Sequence, residues 1–188
     1  QIAYAPTAME LLKNQTRTVD APLNGTYPRT GKAITILKTS AGDIRINLIH
    51  RHAACNDAAF EKLIEAKYFN NTSCHRMFNS EQGSVLQCGD PTGTGMGDPG
   101  FYTPDELPEY LINAAGAEYG MQAQQITYPK GTVAVANSGP NTGSGQFFIA
   151  LTDTQLAPSY TVIGVVDPAD FSILDKVKGY GIVLAPGT

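Results

Sequence analysis

Apolar and polar residues alternate over two short runs near the start of the chain, and this pattern predicts a β-hairpin. The runs are Ala33 to Thr39 and Ile44 to Leu48, where apolar side chains recur at every second position. That period is typical of a strand with one buried face. Ala41-Gly42-Asp43 lies between the runs and contains residues that favour a tight turn.

Two other segments carry apolar residues at helical spacing. The first is predicted to be capped by Asn56 or Asp57 and to run to about Ala66. The second runs from Asp170 to Lys178, and Gly179 is expected to end it because glycine favours the conformation that follows a helix.

The central stretch, residues 131–151, reads GTVAVANSGPNTGSGQFFIAL and predicts a second hairpin. Its turn is rich in glycine and asparagine, which adopt backbone conformations that other residues resist. Phe147 and Phe148 are adjacent on the second strand and therefore point to opposite faces. We expect one of them to fill the core and the other to line a surface pocket.

The rest of the pattern is less regular but still indicates mainly strands. A polar loop from Asn79 to Ser84 is expected to join two of them, and Asp90 to Gly100 is a glycine-rich loop. Thr103 to Ile126 is interpreted as a long excursion with one helical turn or more. The predicted strands are Thr72 to Phe78, Val85 to Gly89 and Tyr160 to Val166.

Composition and charge limit the classes of protein to consider. The 188 residues are enough for one domain, which we place at 32–188, preceded by an extension or tether over residues 1–31. A formal net charge of −4 argues against a nucleic-acid or anionic-membrane surface. No apolar run reaches the length of about 18 residues that a membrane helix needs.

The three cysteines are too few for a disulfide scaffold. Cys55, Cys74 and Cys88 allow at most one internal bridge. They are either three reduced thiols or one bridge and one thiol in an oxidising compartment. The sequence does not indicate which pair would join.

The stretch ANSGPNTGSGQFFI, residues 136–149, resembles the signature of cyclophilins, the cyclosporin-type peptidyl-prolyl cis–trans isomerases. The resemblance covers roughly residues 33–178, and the presence of Cys74 and Cys88 resembles a bacterial, actinobacterial branch of the family. Four further motifs occur in the family's order: Cys74-His75-Arg76-Met77, Gln87-Cys88-Gly89-Asp90, Pro91-Thr92-Gly93-Thr94-Gly95 and Thr161-Val162-Ile163-Gly164.

The resemblance implies a fold and a location. Two helices and many short alternating strands already suggest a closed antiparallel barrel. The resemblance implies the same, a mainly β, closed eight-stranded antiparallel barrel with one helix over each mouth. The family's last strand follows the second helix, and the chain stops at Thr188, so that strand is expected to be missing. Relatives of this branch are often tethered outside the cytoplasm. We therefore expect an extracytoplasmic protein, tethered upstream of Gln1, with a cytoplasmic protein as the alternative.

The resemblance also implies isomerase activity on proline-containing peptides and on unfolded or partly folded proteins, with no cofactor. Arg76, Gln87 and Phe148 would be the catalytic residues. The guanidinium of Arg76 can donate to the twisted prolyl nitrogen and hold the carbonyl oxygen. Gln87 would bind the substrate backbone, and Phe148 would form the proline pocket.

A second set of residues would bind the substrate around this centre. Three of them depart from the family's pattern, because Ser84 and Gln155 replace aromatic residues and Tyr160 replaces a histidine. We expect a more open proline pocket and weakened cyclosporin binding. The substrate-binding set comprises Val85, Ala136, Asn137, Gln146, Leu156, Tyr160, Ser84 and Gln155.

Other functions fit the residues less well. His50, His52 and Cys55 match no standard zinc spacing, so no metal site is predicted. The glycines at 93, 95 and 97 lack the lysine of a phosphate loop. The alternative that remains is a proline-peptide binding module with little or no catalysis, which the changes at Ser84 and Gln155 favour.

Overall fold

The computed structural model describes residues 17–22, 33–107 and 125–180. Within these ranges the chain forms nine strands, two α-helices and a 3₁₀ turn, Pro168–Asp170. The helices are α1 (Ala54–Glu65) and α2 (Phe171–Gly179). The strands are β1 (Ile34–Thr39), β2 (Gly42–Leu48), β3 (Arg76–Ser80), β4 (Gly83–Cys88), β5 (Ile126–Tyr128), β6 (Thr132–Val135), β7 (Phe147–Ala150), β8 (Thr154–Leu156) and β9 (Val162–Val166).

Seven strands form one curled antiparallel sheet in the order β1-β2-β9-β6-β7-β4-β3, while β5 and β8 form a separate pair. The predicted closed eight-stranded barrel is therefore wrong, because no strand in the described ranges joins the two edge strands, β1 and β3. On this open side, a cavity of about 630 Å³ lies between β1 and residues 69–74. The sheet is a half-barrel. The expectation that the family's last strand is missing concerns the residues after the second helix, 181–188, which lie outside the described ranges.

Both predicted hairpins are confirmed. Strands β1 and β2 pair from Ile34 opposite Asn47 to Thr39 opposite Gly42, and β6 pairs with β7 through the predicted turn. One face of the sheet covers the core, where the rings of Phe60, Phe69 and Phe147 meet at centroid distances of 5.1–5.6 Å. Full burial of each such side chain stabilises the fold by about 1.5–3 kcal/mol.

The hairpin of β3 and β4 is longer than predicted. The polar loop expected from Asn79 to Ser84 is mostly strand, since Asn79 pairs with Ser84 and Ser80 with Gly83. Only residues 81 and 82 form the turn. Polar residues occupy these strand ends because Asn79 and Ser80 are exposed to solvent. The strand expected from Thr72 instead begins at Arg76.

Helix α1 begins before the predicted caps. Asn56 and Asp57 lie inside the helix, and Ala53 at its N-terminus makes no side-chain cap. The carboxylate of Glu106 accepts hydrogen bonds from the backbone N–H groups of Cys55 and Asn56 at 3.1 and 2.8 Å. A residue fifty positions away therefore supplies the cap that orphan N–H groups need.

Helix α2 lies where the prediction put it but differs at both ends: it begins at Phe171, and Gly179 is its last residue and not its terminator, since Tyr180 follows as the C-cap with a right-handed helical conformation. A 3₁₀ turn precedes it, and the side chain of Asp167 accepts from the backbone N–H of Ala169. Asp170 binds the guanidinium and the backbone N–H of Arg45 on β2 at 2.7–2.9 Å. These hydrogen bonds lower the pKa of Asp170 to about 2 and fasten α2 to the sheet.

Most of the predicted extension lies outside the described residues, and residues 17–22 lie against the domain. The guanidinium of Arg17 donates to the carbonyl oxygens of Tyr68 and Asn70, at 2.6 Å each. The N–H of Val19 donates to the carbonyl of Pro99. Most of the predicted excursion from Thr103 to Ile126 also lies outside the described residues. None of the helices formed by residues 17–22, 33–107 and 125–180 has the length and apolarity to cross a membrane.

Candidate active site

The outer face of the sheet brings the three predicted catalytic residues into one row. Arg76 on β3 faces Gln87 on β4, Gln87 faces Phe148 on β7, and Phe148 faces Ala134 on β6. Directly opposite side chains share a face and lie about 4.5–5.5 Å apart at Cβ. Arg76 is exposed at the sheet edge, whereas Phe148 is only 4% exposed. A charged donor and an aromatic ring therefore flank Gln87.

A second row lies two residues along each strand from the first row. It contains Phe78, Val85 and Ala150, which are cross-strand neighbours. Val85 is half-buried beside the first row, as a pocket residue requires. Ser84 is not brought together with the others: it is 1% exposed and alternates with Val85, on the side of β4 that carries Leu86 to the core.

Phe148 belongs to a group of three aromatic rings. Its centroid lies 5.2 Å from that of Tyr160 and 6.1 Å from that of Tyr128. Tyr128 was not predicted from the sequence. Its hydroxyl donates to the carbonyl of Ala157 at 3.0 Å and accepts from the N–H of Tyr160 at 3.3 Å. Tyr128 thereby positions Tyr160 next to Phe148.

Gln87 and Gln146 connect the row to the glycine-rich loop. The Nε2 of Gln87 donates to Oε1 of Gln146 at 2.8 Å. The Nε2 of Gln146 donates to the carbonyls of Gly95 and Gly97, both at 3.0 Å. An amide whose nitrogen is held by two carbonyls must turn its oxygen the other way. Gln87 in turn keeps its own Oε1 for another donor.

The loop itself is organised by Asp90, which is fully buried. Its carboxylate accepts from the N–H groups of Thr92, Gly95 and Gly97 at 2.6–3.2 Å and from the Thr92 hydroxyl at 2.7 Å. Burial by itself would raise the pKa of Asp90, but these hydrogen bonds favour the charged form and lower it. Asp90 therefore holds the two carbonyls that orient Gln146.

Residues flanking the row fix β3 to β4. Cys74 and Cys88 form a disulfide, while Cys55 is free. The sequence left the pairing open. Because Cys74 lies two residues before Arg76 and Cys88 directly follows Gln87, the bridge joins the strands where the catalytic candidates face each other. Burial lowers the pKa of His75, which favours the neutral form of its ring.

Gly89 allows this end of β4 to approach the turn of the central hairpin. It has a φ of +92°, and a Cβ there would lie 2.3 Å from the carbonyl oxygen of Gly145. Glycine is thus required both by the backbone conformation and by the space. The contact places Gly145, and with it Gln146, directly beside the strand that carries Gln87.

Ala136 and Asn137 border the row beyond β6. Both are half-buried. The side chain of Asn137 is already bound, since Nδ2 donates to the carbonyl of Ser159 at 2.8 Å and Oδ1 accepts from the N–H of Gly139 at 3.3 Å. Its side chain therefore shapes the two adjoining loops, and the backbone N–H of Ala136 donates to the carbonyl of Gln146 at 2.9 Å.

Leu156 and Gln155 lie on β8, in the separate two-stranded sheet. Gln155 faces Thr127 on β5, and its Nε2 donates to the Thr127 hydroxyl at 2.6 Å. Its amide is therefore engaged in the sheet. Leu156 faces Ile126 and is half-buried.

The histidine-rich segment considered as a metal site has a different environment. Nδ1 of His50 lies 3.5 Å from Oδ2 of Asp57, and Nε2 lies 3.7 Å from Oε1 of Glu61. Asp57 is fully buried, and its burial, with the charges of Glu61 and Glu106 nearby, raises its pKa to about 8. Within the described ranges no three histidine, cysteine or acidic residues are grouped to hold a metal ion.

Comparison with known proteins gives consistent matches. The family model described as cyclophilin type peptidyl-prolyl cis-trans isomerase matches residues 34–183. A Mycobacterium tuberculosis protein, "probable peptidyl-prolyl cis-trans isomerase B", is 37% identical over 162 residues, covering 82% of this chain and 52% of that protein. The Mycobacterium leprae protein of the same description is 37% identical over 182 residues, with coverages of 95% and 59%. The chain thus spans little more than half the length of these relatives.

More distant matches share the fold. Human peptidyl-prolyl cis-trans isomerase-like 1 is 35% identical over 135 residues, covering 69% of this chain and 70% of that protein. A crystal structure of a Cryptosporidium parvum cyclophilin-type isomerase superposes with a TM-score of 0.62 at 25% identity, covering 79% of this chain and 85% of that one. A second structure of that protein, solved in the presence of the dipeptide Ala-Pro, gives a TM-score of 0.61.

Proposed function

This chain belongs to the cyclophilin-type peptidyl-prolyl cis-trans isomerase family, as the residues of its central hairpin predict, and we propose that it accelerates rotation about X–Pro bonds in peptides and folding proteins. The observation that carries the proposal is the row of Arg76, Gln87 and Phe148 on one face of the sheet. The row sets a permanent positive charge and an apolar ring on either side of an amide.

The reaction breaks no covalent bond. Amide resonance gives rotation a barrier of about 18–20 kcal/mol, and the uncatalysed reaction takes tens to hundreds of seconds. When the bond twists, the prolyl nitrogen loses its conjugation and becomes a hydrogen-bond acceptor. A donor that binds only this twisted state lowers the barrier, and about 1.4 kcal/mol of such preference gives a tenfold rate increase.

Arg76 supplies that donor in our proposal. A guanidinium stays charged at all relevant pH values and presents several N–H groups in a fixed plane. Cross-strand pairing places Gln87 beside it, and the Gln146 network leaves the Gln87 Oε1 to accept from a substrate N–H or from Arg76. The proline ring would lie over Val85 and the aromatic group of Phe148 and Tyr160, with Leu156 at its border.

The test is the cis-to-trans rate of a short Ala-Pro peptide with wild type, Arg76→Ala and Arg76→Lys. The lysine variant keeps the charge but lacks the planar fork, so we expect partial activity from it and near-complete loss from the alanine variant. Arg51→Ala is the matched control, because Arg51 is an exposed arginine outside the row. Equal acceleration by wild type and Arg76→Ala would refute the mechanism while keeping the activity.

A second candidate function is a proline-peptide binding module. One observation favours it: the amide of Gln155 is bound to Thr127 and not turned to a substrate. Such a module would bind the peptide by calorimetry yet give no acceleration in the same rate assay. Proline-containing peptides and partly folded proteins are the proposed partners in either case, with cyclosporin bound weakly because Gln155 offers no indole donor.

We also propose a location outside the cytoplasm. The Cys74–Cys88 disulfide supports it, since such bridges persist in oxidising compartments and are rare in the cytosol. Labelling intact cells with a membrane-impermeant maleimide, after reduction by a membrane-impermeant phosphine, should modify the chain. Labelling only after cell lysis would contradict this location.

A further inference from the structure

We propose that Phe78 is the missing aromatic wall of the proline pocket, taking the role that the cyclophilin resemblance assigns to the position now held by Ser84. This inference rests on the proposed binding of proline at the Arg76–Gln87–Phe148 row. It adds a specificity-determining residue to that site, because Phe78 would contact the proline ring or the residue that follows it.

The register of β3 and β4 carries the first part of the argument. Phe78 lies two residues after Arg76, so the two side chains project from the same face of β3. Its cross-strand partner is Val85, which is itself a candidate pocket residue. Opposed side chains in such a pair lie about 4.5–5.5 Å apart at Cβ, within contact distance for an aromatic ring and a valine.

The surroundings of Phe78 carry the second part. Met77 and Leu86, its neighbours on the opposite face of the hairpin, pack in or against the core, whereas Phe78 does not belong to that group. Phe78 is nevertheless half-buried. A large apolar side chain that adjoins Arg76 and Val85, and that serves no core contact, is suited to contact a ligand.

The length of the hairpin explains why the aromatic residue has moved. Because β3 and β4 continue to Ser80 and Gly83, Ser84 lies inside a regular strand and alternates with Val85. Its side chain therefore faces the core side, where it is 1% exposed. No residue type at position 84 could reach the outer face, and the outer position next to Val85 belongs to Phe78.

The spacing suits an extended peptide. Residues two apart on a strand are about 6.6–6.8 Å apart. A prolyl nitrogen held at Arg76 would therefore place its ring, or the next residue, near Phe78. Aromatic-lined grooves bind proline-containing segments well because those segments are already extended and lose little entropy. We infer a preference for an apolar residue directly after the proline.

The absence of tryptophan from the chain makes a direct test possible. In Phe78→Trp the new indole is the single tryptophan, and a short Ala-Pro peptide should shift its emission in a saturable way. Ile36→Trp is the control, since Ile36 is 52% exposed on β1 at the other edge of the sheet. If calorimetry shows that Phe78→Trp binds the peptide but its tryptophan emission does not change on titration, the proposal is overturned.

Kinetics give a second, independent readout. Phe78→Ala should raise KM about five-fold with kcat nearly unchanged, because it removes ground-state and transition-state contact alike. Phe78→Leu should recover most of the affinity. Met77→Ala alters the neighbouring core-facing residue and should lower the melting temperature without changing KM. An unchanged KM in Phe78→Ala would refute the proposal that Phe78 forms a wall of the proline pocket.

Failure of the proposed function gives a different result. If wild type binds the peptide without accelerating isomerisation, the isomerase proposal fails, yet the fluorescence titration and calorimetry of Phe78→Ala still decide whether Phe78 contacts proline. If Arg76→Ala loses turnover while Phe78→Ala binds like wild type, the isomerase proposal is supported and the role of Phe78 in the pocket is refuted.

Discussion

Gln87 donates through Nε2 to the Oε1 of Gln146 at 2.8 Å, and the Nε2 of Gln146 donates hydrogen bonds to two carbonyls of the glycine-rich loop. One amide therefore links the row of Arg76, Gln87 and Phe148 to the loop. In Gln146→Glu, a carboxylate would face the carbonyls of Gly95 and Gly97 with no hydrogen to donate. We expect the free energy of unfolding to fall by about 1–3 kcal/mol, and turnover to fall with it.

Urea unfolding and hydrogen exchange measure this effect. The amides of Gly95 and Gly97, which donate to Asp90, should exchange faster in Gln146→Glu because the loop is released on one side. Gln82→Glu makes the same chemical change at an exposed turn residue and serves as the control. Unchanged protection in Gln146→Glu would show that Asp90 alone holds the loop.

The Cys74–Cys88 bridge should contribute both stability and site geometry. It closes a loop across a sequence separation of 14 residues, for which chain entropy gives about 3 kcal/mol. The double variant Cys74→Ser/Cys88→Ser should lose that stability in urea. It should also lose turnover, because β3 is an edge strand that otherwise holds Arg76 through β4 alone.

Reductant provides the matched comparison for the bridge. A dithiol should lower the melting temperature of wild type and of Cys55→Ser equally, since Cys55 is not in the bridge. It should have no effect on the double variant. A double variant as active as wild type would mean that β4 alone suffices to position Arg76.

The raised pKa of Asp57 predicts that the folded state loses stability as the pH rises towards 8. Burial raises its pKa to about 8, with smaller effects from Glu61 and Glu106. The unfolded value is about 3.9, so between these pH values the folded protein holds a proton that the unfolded chain has released. The free energy of unfolding therefore decreases as pH rises through this window.

Thermal melts at pH 5 and pH 8.5 test the role of Asp57. Asp57→Asn removes the titration and should show a smaller drop in melting temperature than wild type. His50, 3.5 Å from the carboxylate, is unchanged in this variant. Glu65→Gln, an exposed substitution on the same helix, should behave as wild type. Equal drops in all three proteins would assign the pH dependence to other groups.

Gln155 offers a gain-of-function prediction. Its amide is bound to Thr127, and no indole donor is present at this position. Gln155→Trp should bind cyclosporin about 2- to 10-fold more tightly than wild type, the value of one net hydrogen bond. Calorimetry measures the affinity. Thr127→Ala releases the Gln155 amide without supplying an indole, and an equal gain in that variant would contradict the explanation.

Strand alternation made the row of Arg76, Gln87 and Phe148 predictable from the sequence. Phe147 and Phe148 had to point to opposite faces. The structure places Phe147 in the main core cluster, while Phe148, also buried at 4% exposure, lies on the other face against Tyr128 and Tyr160. The same rule, applied two residues past Arg76, would have found Phe78. Polar residues from Asn79 onward instead indicated a loop, because a solvated hairpin end and a loop have the same composition.

Features that depend on distant partners were beyond the sequence. The start of α1 is set by Glu106, fifty residues away, and the orientation of Tyr160 is set by the hydroxyl of Tyr128. Neither leaves a local pattern. The short strands β5 and β8 have three residues each, too few for a period to be visible. The closed barrel was expected both from the many short strands and from the resemblance, and the open edges of β1 and β3 contradict it.

Arg17 has a consequence for how the domain responds to force. Its guanidinium donates to the carbonyls of Tyr68 and Asn70 in the turn after α1. The ring of Tyr68 packs against Gly145, which directly precedes Gln146. Force applied at residue 17 would be borne by these hydrogen bonds. The buried Tyr68 ring and Gly145 connect them to the amide that orients Gln87, so a displacement of Arg17 would bear on the row of Arg76, Gln87 and Phe148 without any change in strand pairing.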